Sequence, residues 1–200
     1  MTLRRFNNLL SVLVIVLGVY IAISPFIPEI TYKFRDKSPE HVAPYSGELA
    51  KEYGSNTEVS PPSENRLVIP SIGLNEIIKE GNYINVIKDG GTWHRPNTVT
   101  PDQSGNSVIV GHRFYGSNLS TFYNLDKVVA GDKLAVYWNG VEILYEVFEV
   151  RVVDPTAVEI ESPTATRQLT LYTCHPLWTS SQRLVVIARP VNLEENVNAE

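Results

Sequence analysis

The chain has 200 residues, 43% of them hydrophobic and 20% charged, with a formal net charge of -5 and a pI near 5.4. That composition suits one globular domain and is too rich in aliphatic and aromatic residues for a disordered chain. Lys and Arg are scattered instead of gathered in a stripe, so nothing in the charge pattern favours nucleic acid as a partner.

From Leu9 to Ile27 the sequence reads LLSVLVIVLGVYIAISPFI, about 19 residues without a charge, enough at about 1.5 Å per residue to cross a hydrocarbon core of roughly 30 Å. Residues 1–30 are therefore expected to form a short tip, with Arg4 and Arg5, and a retained transmembrane anchor. A cleaved leader is the competing reading, because Ala22 and Ser24 mimic a small-x-small cleavage site. Against it, Pro25 would follow the cut directly and the apolar run continues through Phe26 and Ile27. A buried soluble helix fits less well, since no polar face interrupts the run. The charge count leaves the orientation open: Arg4 and Arg5 lie on one side, Lys33, Arg35 and Lys37 on the other.

Residues 31–65 are dense in Pro, Ser, Glu and Asn and lack a sustained apolar period, which reads as a flexible linker with one short helix near GELAKEYG. His41 falls here and reads as a solvated linker residue. From Arg66 the pattern changes to short β-branched and aromatic runs between turn residues: RLVIPSIGLNEII, NSVIVGH, DKLAVYW, VEILYEVFEVRVVD, RQLTLYT and RLVVIARP. Asn139-Gly140 between two such runs predicts a two-residue type I′ hairpin. GSNLSTFYNLDKV is expected to hold a short helix, and Trp138, Tyr145 and Phe148 read as core and hairpin face. A compact, mostly antiparallel barrel or sandwich over residues 66–192 follows, with residues 193–200 as a tail.

Cys174 is the only cysteine, and an odd cysteine in a chain with an export signal suggests an intermolecular disulfide or a free reactive thiol. The plainer alternative is a small buried hydrophobe. Cys174 stands where the strand LTLYT meets the breaker Pro176, a position with more access than mid-strand. A thiol nucleophile needs a proton-managing partner and a donor for the oxyanion. His112 ends the apolar run SVIVGH beside Gly111, which leaves room for another group to approach, and Arg183 opens the strand after the one bearing the cysteine. If those consecutive strands pair, Arg183 and Cys174 share one end of the fold. Taken singly, a strand-end histidine is also an ordinary structural residue and a strand-opening arginine an ordinary solvated cap.

These segments resemble the sortase family. LTLYTCHP resembles its TLxTC signature with Tyr172 at the variable position, VIVGHR resembles its histidine strand, and Arg183 falls where its arginine is expected. RLVIPSIGL, GGTWHRPNTVTPDQSGN and FYNLDKVVAGDKLAVYW extend the similarity over residues 66–190. The resemblance implies an all-β fold, an eight-stranded barrel with short helices preceded by one transmembrane helix. It also implies a cysteine transpeptidase held in the cell membrane, with the N-terminus cytoplasmic and the catalytic domain outside.

In that reading Cys174 attacks the Thr carbonyl of an LPxTG-like sorting signal, His112 protonates the departing Gly amine, and Arg183 holds substrate and oxyanion. The partners implied are secreted proteins bearing a C-terminal sorting signal and an amine acceptor from peptidoglycan or a pilin. TCHPLWTSSQR resembles the class E-like housekeeping enzymes, some of which prefer LAxTG, although Tyr172 departs from the Thr that many of them carry. His175 adjoins the cysteine but points to the opposite strand face, and His94 in TWHRP reads as structural. HExxH, CxxC and clustered carboxylates are missing, so no metal and no other cofactor is expected. Two other readings stand beside the transpeptidase: a cysteine hydrolase, and an anchored binding or assembly module on the same barrel without turnover.

Overall fold

The computed structural model describes residues 3–27, 30, 62–115, 118, 119, 121–177 and 179–191. They belong to two compact units, Met1–Asp36 and Lys37–Glu200. Most of the expected linker, with His41 and GELAKEYG, lies outside the described residues, as does the 193–200 tail.

In the first unit α1 runs from Leu3 to Ile23, followed by a 3-10 turn at Ser24–Phe26 with Pro25 in its first turn. Proline is tolerated there because it lacks only a donor that has no partner at a helix start. The stretch Arg4–Ile23 is long and apolar enough to span a membrane, and its apolar side chains are exposed on all faces, as a lipid-facing helix requires.

The second unit is a closed barrel. Its strands are β1 (Arg66–Ile69), β2 (Leu74–Lys79), β3 (Thr92–His94), β4 (Asn106–Val110), β7 (Lys133–Trp138), β8 (Val141–Val153), β9 (Gln168–His175) and β10 (Gln182–Pro190). They close in the order β1-β2-β3-β4-β9-β10-β8-β7. Most pairs are antiparallel, but β2 with β3 and β4 with β9 are parallel. Two short strands, β5 (Phe114–Tyr115) and β6 (Asn118–Leu119), form a separate ladder.

The hairpin between β7 and β8 is the predicted one: Trp138 pairs with Val141, and Asn139 and Gly140 have φ of 50° and 76°. Both signs are those a type I′ turn needs, which is why Asn and Gly stand there. Gly73, at φ 63°, makes the corner between the 3-10 turn Pro70–Ile72 and β2.

Side chains alternate across the barrel wall. Leu67, Ile109, Leu134, Leu171, Leu184 and Val186 share the interior cluster. Outside the wall, Val108 and Val110 pack with Ile87 and Trp93, while Val185 and Ile187 pack with Ile160, and Tyr172 touches both groups. Strands β4, β9 and β10 are thus covered on both faces, which explains their near-continuous apolar runs.

Two expectations are corrected. GSNLSTFYNLDKV forms β6 and a 3-10 turn at Leu125–Lys127 in its described residues, in place of a single short helix. Phe148 is 53% exposed instead of core, while Trp138 and Tyr145 are buried. Ile143, Tyr145 and Val147 face the core, so the two-residue period of β8 turns Phe148 outward, where the Arg189 guanidinium lies 3.5 Å from its ring centroid. A β-bulge follows, with Ile187 paired to Glu149 and Ala188 to Val147.

Candidate active site

The parallel pairing of β4 with β9 brings the ends of both strands to one edge of the barrel. Val110 is opposite Tyr172, the next N–H along, from Gly111, donates to the Tyr172 carbonyl at 3.4 Å, and the Thr173 hydroxyl donates to the Gly111 carbonyl at 2.8 Å. His112 follows immediately and Cys174 is the next residue of β9. On the other side β10 runs antiparallel, with Arg183 paired directly to Cys174. Because Leu171 and Leu184 point inward, the two-residue period directs Tyr172, Cys174 and Arg183 to the outer face of the wall.

A groove of about 410 Å³ lies on that outer face, and His112, Cys174 and Arg183 all line it. All three are half-buried, and the Cys174 thiol is free. One wall comes from Asn82, Tyr83 and Ile84, with Tyr83 74% exposed, and another from Trp93 and Arg95. The indole of Trp93 is fixed by donating to the Gly81 carbonyl at 2.8 Å.

Of the two arginines that line the groove, Arg95 is paired with a carboxylate. Arg95 donates to both carboxylate oxygens of Glu161, at 2.9 and 2.8 Å, and its guanidinium lies 4.8 Å from the Trp93 ring centroid. The Glu161 hydrogen bond raises the Arg95 pKa further. Tyr172 donates to the same carboxylate at 2.6 Å, and burial, then this bond, push its phenol far above the usual range. Arg183 donates to the Ser180 and Gln182 carbonyls at 3.0 and 2.8 Å, which aims its side chain from the β9–β10 connection. Burial lowers the His112 pKa, favouring the neutral ring.

Two histidines stand apart from the groove. His94 is buried, with Nε2 3.0 Å from the Val99 carbonyl and its ring edge against Trp138. His175 has turned to the other strand face, where its Nδ1 lies 2.6 Å from Nη1 of Arg113. Among the described residues no three of His, Cys, Asp and Glu gather closely enough to hold a metal ion. Arg95, Arg113 and Glu161 went unremarked in the sequence; their partners lie far along the chain, and only GHR, with its second basic residue, hinted at one of them.

The second unit is thus an eight-stranded closed barrel with a thiol, an imidazole and a guanidinium around one outer groove. The sortase domain model matches residues 67–191, well over half of the chain, and the chain belongs to the sortase family. In sequence it is similar to sortase SrtE2 of Streptomyces coelicolor, 26% identical over 144 residues. The match covers 64% of this chain and 56% of that protein, so the chain spans little more than half the length of this relative. In structure it is similar to sortase A of Corynebacterium diphtheriae, with TM-score 0.60 and 27% identity over 74% of this chain and 67% of that one. Sortase C1 of Streptococcus agalactiae is similar too, with TM-score 0.59 and 28% identity over 74% and 76% of the two chains.

Proposed function

We propose that this protein is a membrane-anchored transpeptidase that cleaves an LPxTG- or LAxTG-like sorting signal between Thr and Gly and joins the Thr to an amine of the cell wall or of a pilin. The observation that carries the reading is the meeting of Cys174, His112 and Arg183 in one groove of a sortase-family barrel. Cys174 as thiolate adds to the Thr carbonyl, and the oxygen takes the negative charge beside the Arg183 guanidinium. When the tetrahedral adduct collapses, the C–N bond to Gly breaks and His112 supplies the proton to the departing amine. The thioester left on Cys174 reacts with an incoming amine, whose excess proton returns to His112. A thioester retains much of the free energy of the cleaved amide and is readily opened by amines, which suits transfer.

The apolar helix α1 supports a location in the cell membrane, and the resemblance to sortases is what supports an N-terminus in the cytoplasm and a barrel outside. A sorting signal confined to the same surface meets the groove at a raised effective concentration.

The test is intact-mass spectrometry of the full-length protein in detergent, mixed with LPxTG and LAxTG peptides with and without an amine. An acyl adduct absent from Cys174→Ala and discharged by amine into a ligated peptide supports the transpeptidase and ranks the two signals. Release of the acid at the same rate with or without amine points to a hydrolase. No adduct from a folded protein favours the binding module.

A further inference from the structure

Arg113 directly follows His112, yet its side chain is only 4% exposed and lies away from the groove, behind the wall. Burying a guanidinium is costly unless its donors are matched. Here they are: Nη2 meets Oδ2 of Asp126 at 2.8 Å, Nη1 meets Nδ1 of His175 at 2.6 Å, and Nε reaches the Tyr123 carbonyl at 3.4 Å. Asp126 sits in the 3-10 turn Leu125–Lys127, and His175 is the last residue of β9. One side chain thereby joins the residue after His112 to the residue after Cys174 and to the turn behind both.

We infer that Arg113 is a positioning residue, a clamp that sets the distance between His112 and Cys174 by holding His175 through a single hydrogen bond; the inference rests on the function proposed above. Arginine is always a donor, so the bond exists only while Nδ1 of His175 keeps its lone pair, with the ring proton on Nε2. Protonating His175 sets N–H against N–H and adds like-charge repulsion, and the clamp lets go. Among the described residues the charged groups facing His175 are Arg113 and Asp126, and its cross-strand neighbour on β10 is the uncharged Gln182. Burial first, and Arg113 second, lower the His175 pKa, with Asp126 opposing, so the neutral ring prevails at neutral pH. Backbone bonds join β4 to β9 as far as Gly111 and Tyr172, and β10 pairs with Cys174 and His175. The clamp adds a side-chain tie between the residues that follow His112 and Cys174, where alignment matters most to a reacting pair.

The experiment compares full-length wild type with Arg113→Met, His175→Leu and His175→Asn in the amine-dependent ligation assay. His175→Leu removes the acceptor but keeps the Arg113–Asp126 pair, so it is expected to disturb the fold less than Arg113→Met, which leaves Asp126 without that partner. His175→Asn puts an amide oxygen near the Nδ1 position and cannot titrate. The expected result is a drop in kcat of about tenfold in His175→Leu with KM for the peptide within about threefold. His175→Asn is expected to restore most of that loss, with a shallower fall in rate from pH 7 to pH 5.5. Equal kcat in His175→Leu and wild type, or no difference between the Leu and Asn variants, would overturn the clamp. An independent reading comes from 15N NMR of the labelled histidines. The clamp requires His175 held in its Nε2–H tautomer at pH 7, and a tautomer mixture there overturns it whether or not wild type ligates peptides. Wild type that makes no product, with His175 so held, counts against the proposed function and not the clamp.

Discussion

The hydroxyl of Thr173 donates to the carbonyl of Gly111 across 2.8 Å, binding the residue before Cys174 to the residue before His112. Thr173 is 1% exposed, so the bond is shielded from water. Thr173→Val keeps the shape, removes the donor and leaves the Gly111 carbonyl short of a partner, at an expected cost of about 1–3 kcal/mol. Thr173→Ser restores the hydroxyl and is expected to recover part of that loss. Urea unfolding of the three proteins measures it, and a Val variant as stable as wild type would rule out the bond as a stabilising link.

Gly111 is required by a close approach and not by its backbone angle. A Cβ there would lie 2.6 Å from Cδ2 of Phe122, a fully buried ring whose own N–H donates to the His112 carbonyl at 2.9 Å. Gly111→Ala is expected to destabilise the protein by about 1–3 kcal/mol through overpacking. It also lowers kcat, because the displaced ring pulls on His112. The same substitution made in Phe122→Leu is expected to cost less, and a double-mutant cycle showing no coupling would separate the two residues.

Acid stability follows from the lowered pKa values of His112 and His175. Above the unfolded value of about 6.5, neither state binds a proton at these rings and folding is unaffected. As pH falls below that value the unfolded chain takes protons first, and stability is lost until the folded pKa values are passed. The Tm is therefore expected to fall between pH 7.5 and pH 5.5, and to fall less in His175→Asn. Identical slopes in the two proteins would show that His175 does not contribute.

The rate has its own pH dependence. The proposed chemistry needs a thiolate on Cys174 together with a protonated His112, so kcat/KM is expected to follow a bell. Burial makes imidazolium a minority form of His112 at neutral pH, and the bell reports the coupled pair and not either residue alone. Peptide cleavage followed from pH 5 to pH 10 gives the profile; a flat rate from pH 6 to pH 9 would contradict the pair.

What was legible in the sequence is local chemistry. Asn139-Gly140 announced its turn because only such residues accept two positive φ angles in succession. The pairing of Cys174 with Arg183 was legible because consecutive strands with a short connection tend to be neighbours. What escaped was set by distant partners. Three-residue β3 carries too few side chains to show a period, and it is held by its pairing with β2 and β4. Phe148, by contrast, was within reach of local pattern: it lies three positions from Tyr145, and the two-residue period of β8 puts the two on opposite faces. Arg95 and Glu161, like Arg113 and His175, lie more than 60 positions apart, where no spacing rule reaches.

The parallel register of β4 and β9 also governs when the thiol acquires its company. His112 and Cys174 are separated by 62 positions, and the intervening chain must travel out through β7 and β8 and back before β9 docks. Long-range pairing of this kind comes late in folding, because loop closure precedes the contacts that reward it. A chain emerging N-terminus first therefore presents the histidine long before the cysteine. Thiol and imidazole meet only once the wall is complete, so the groove that holds them is a property of the finished barrel and never of its precursor.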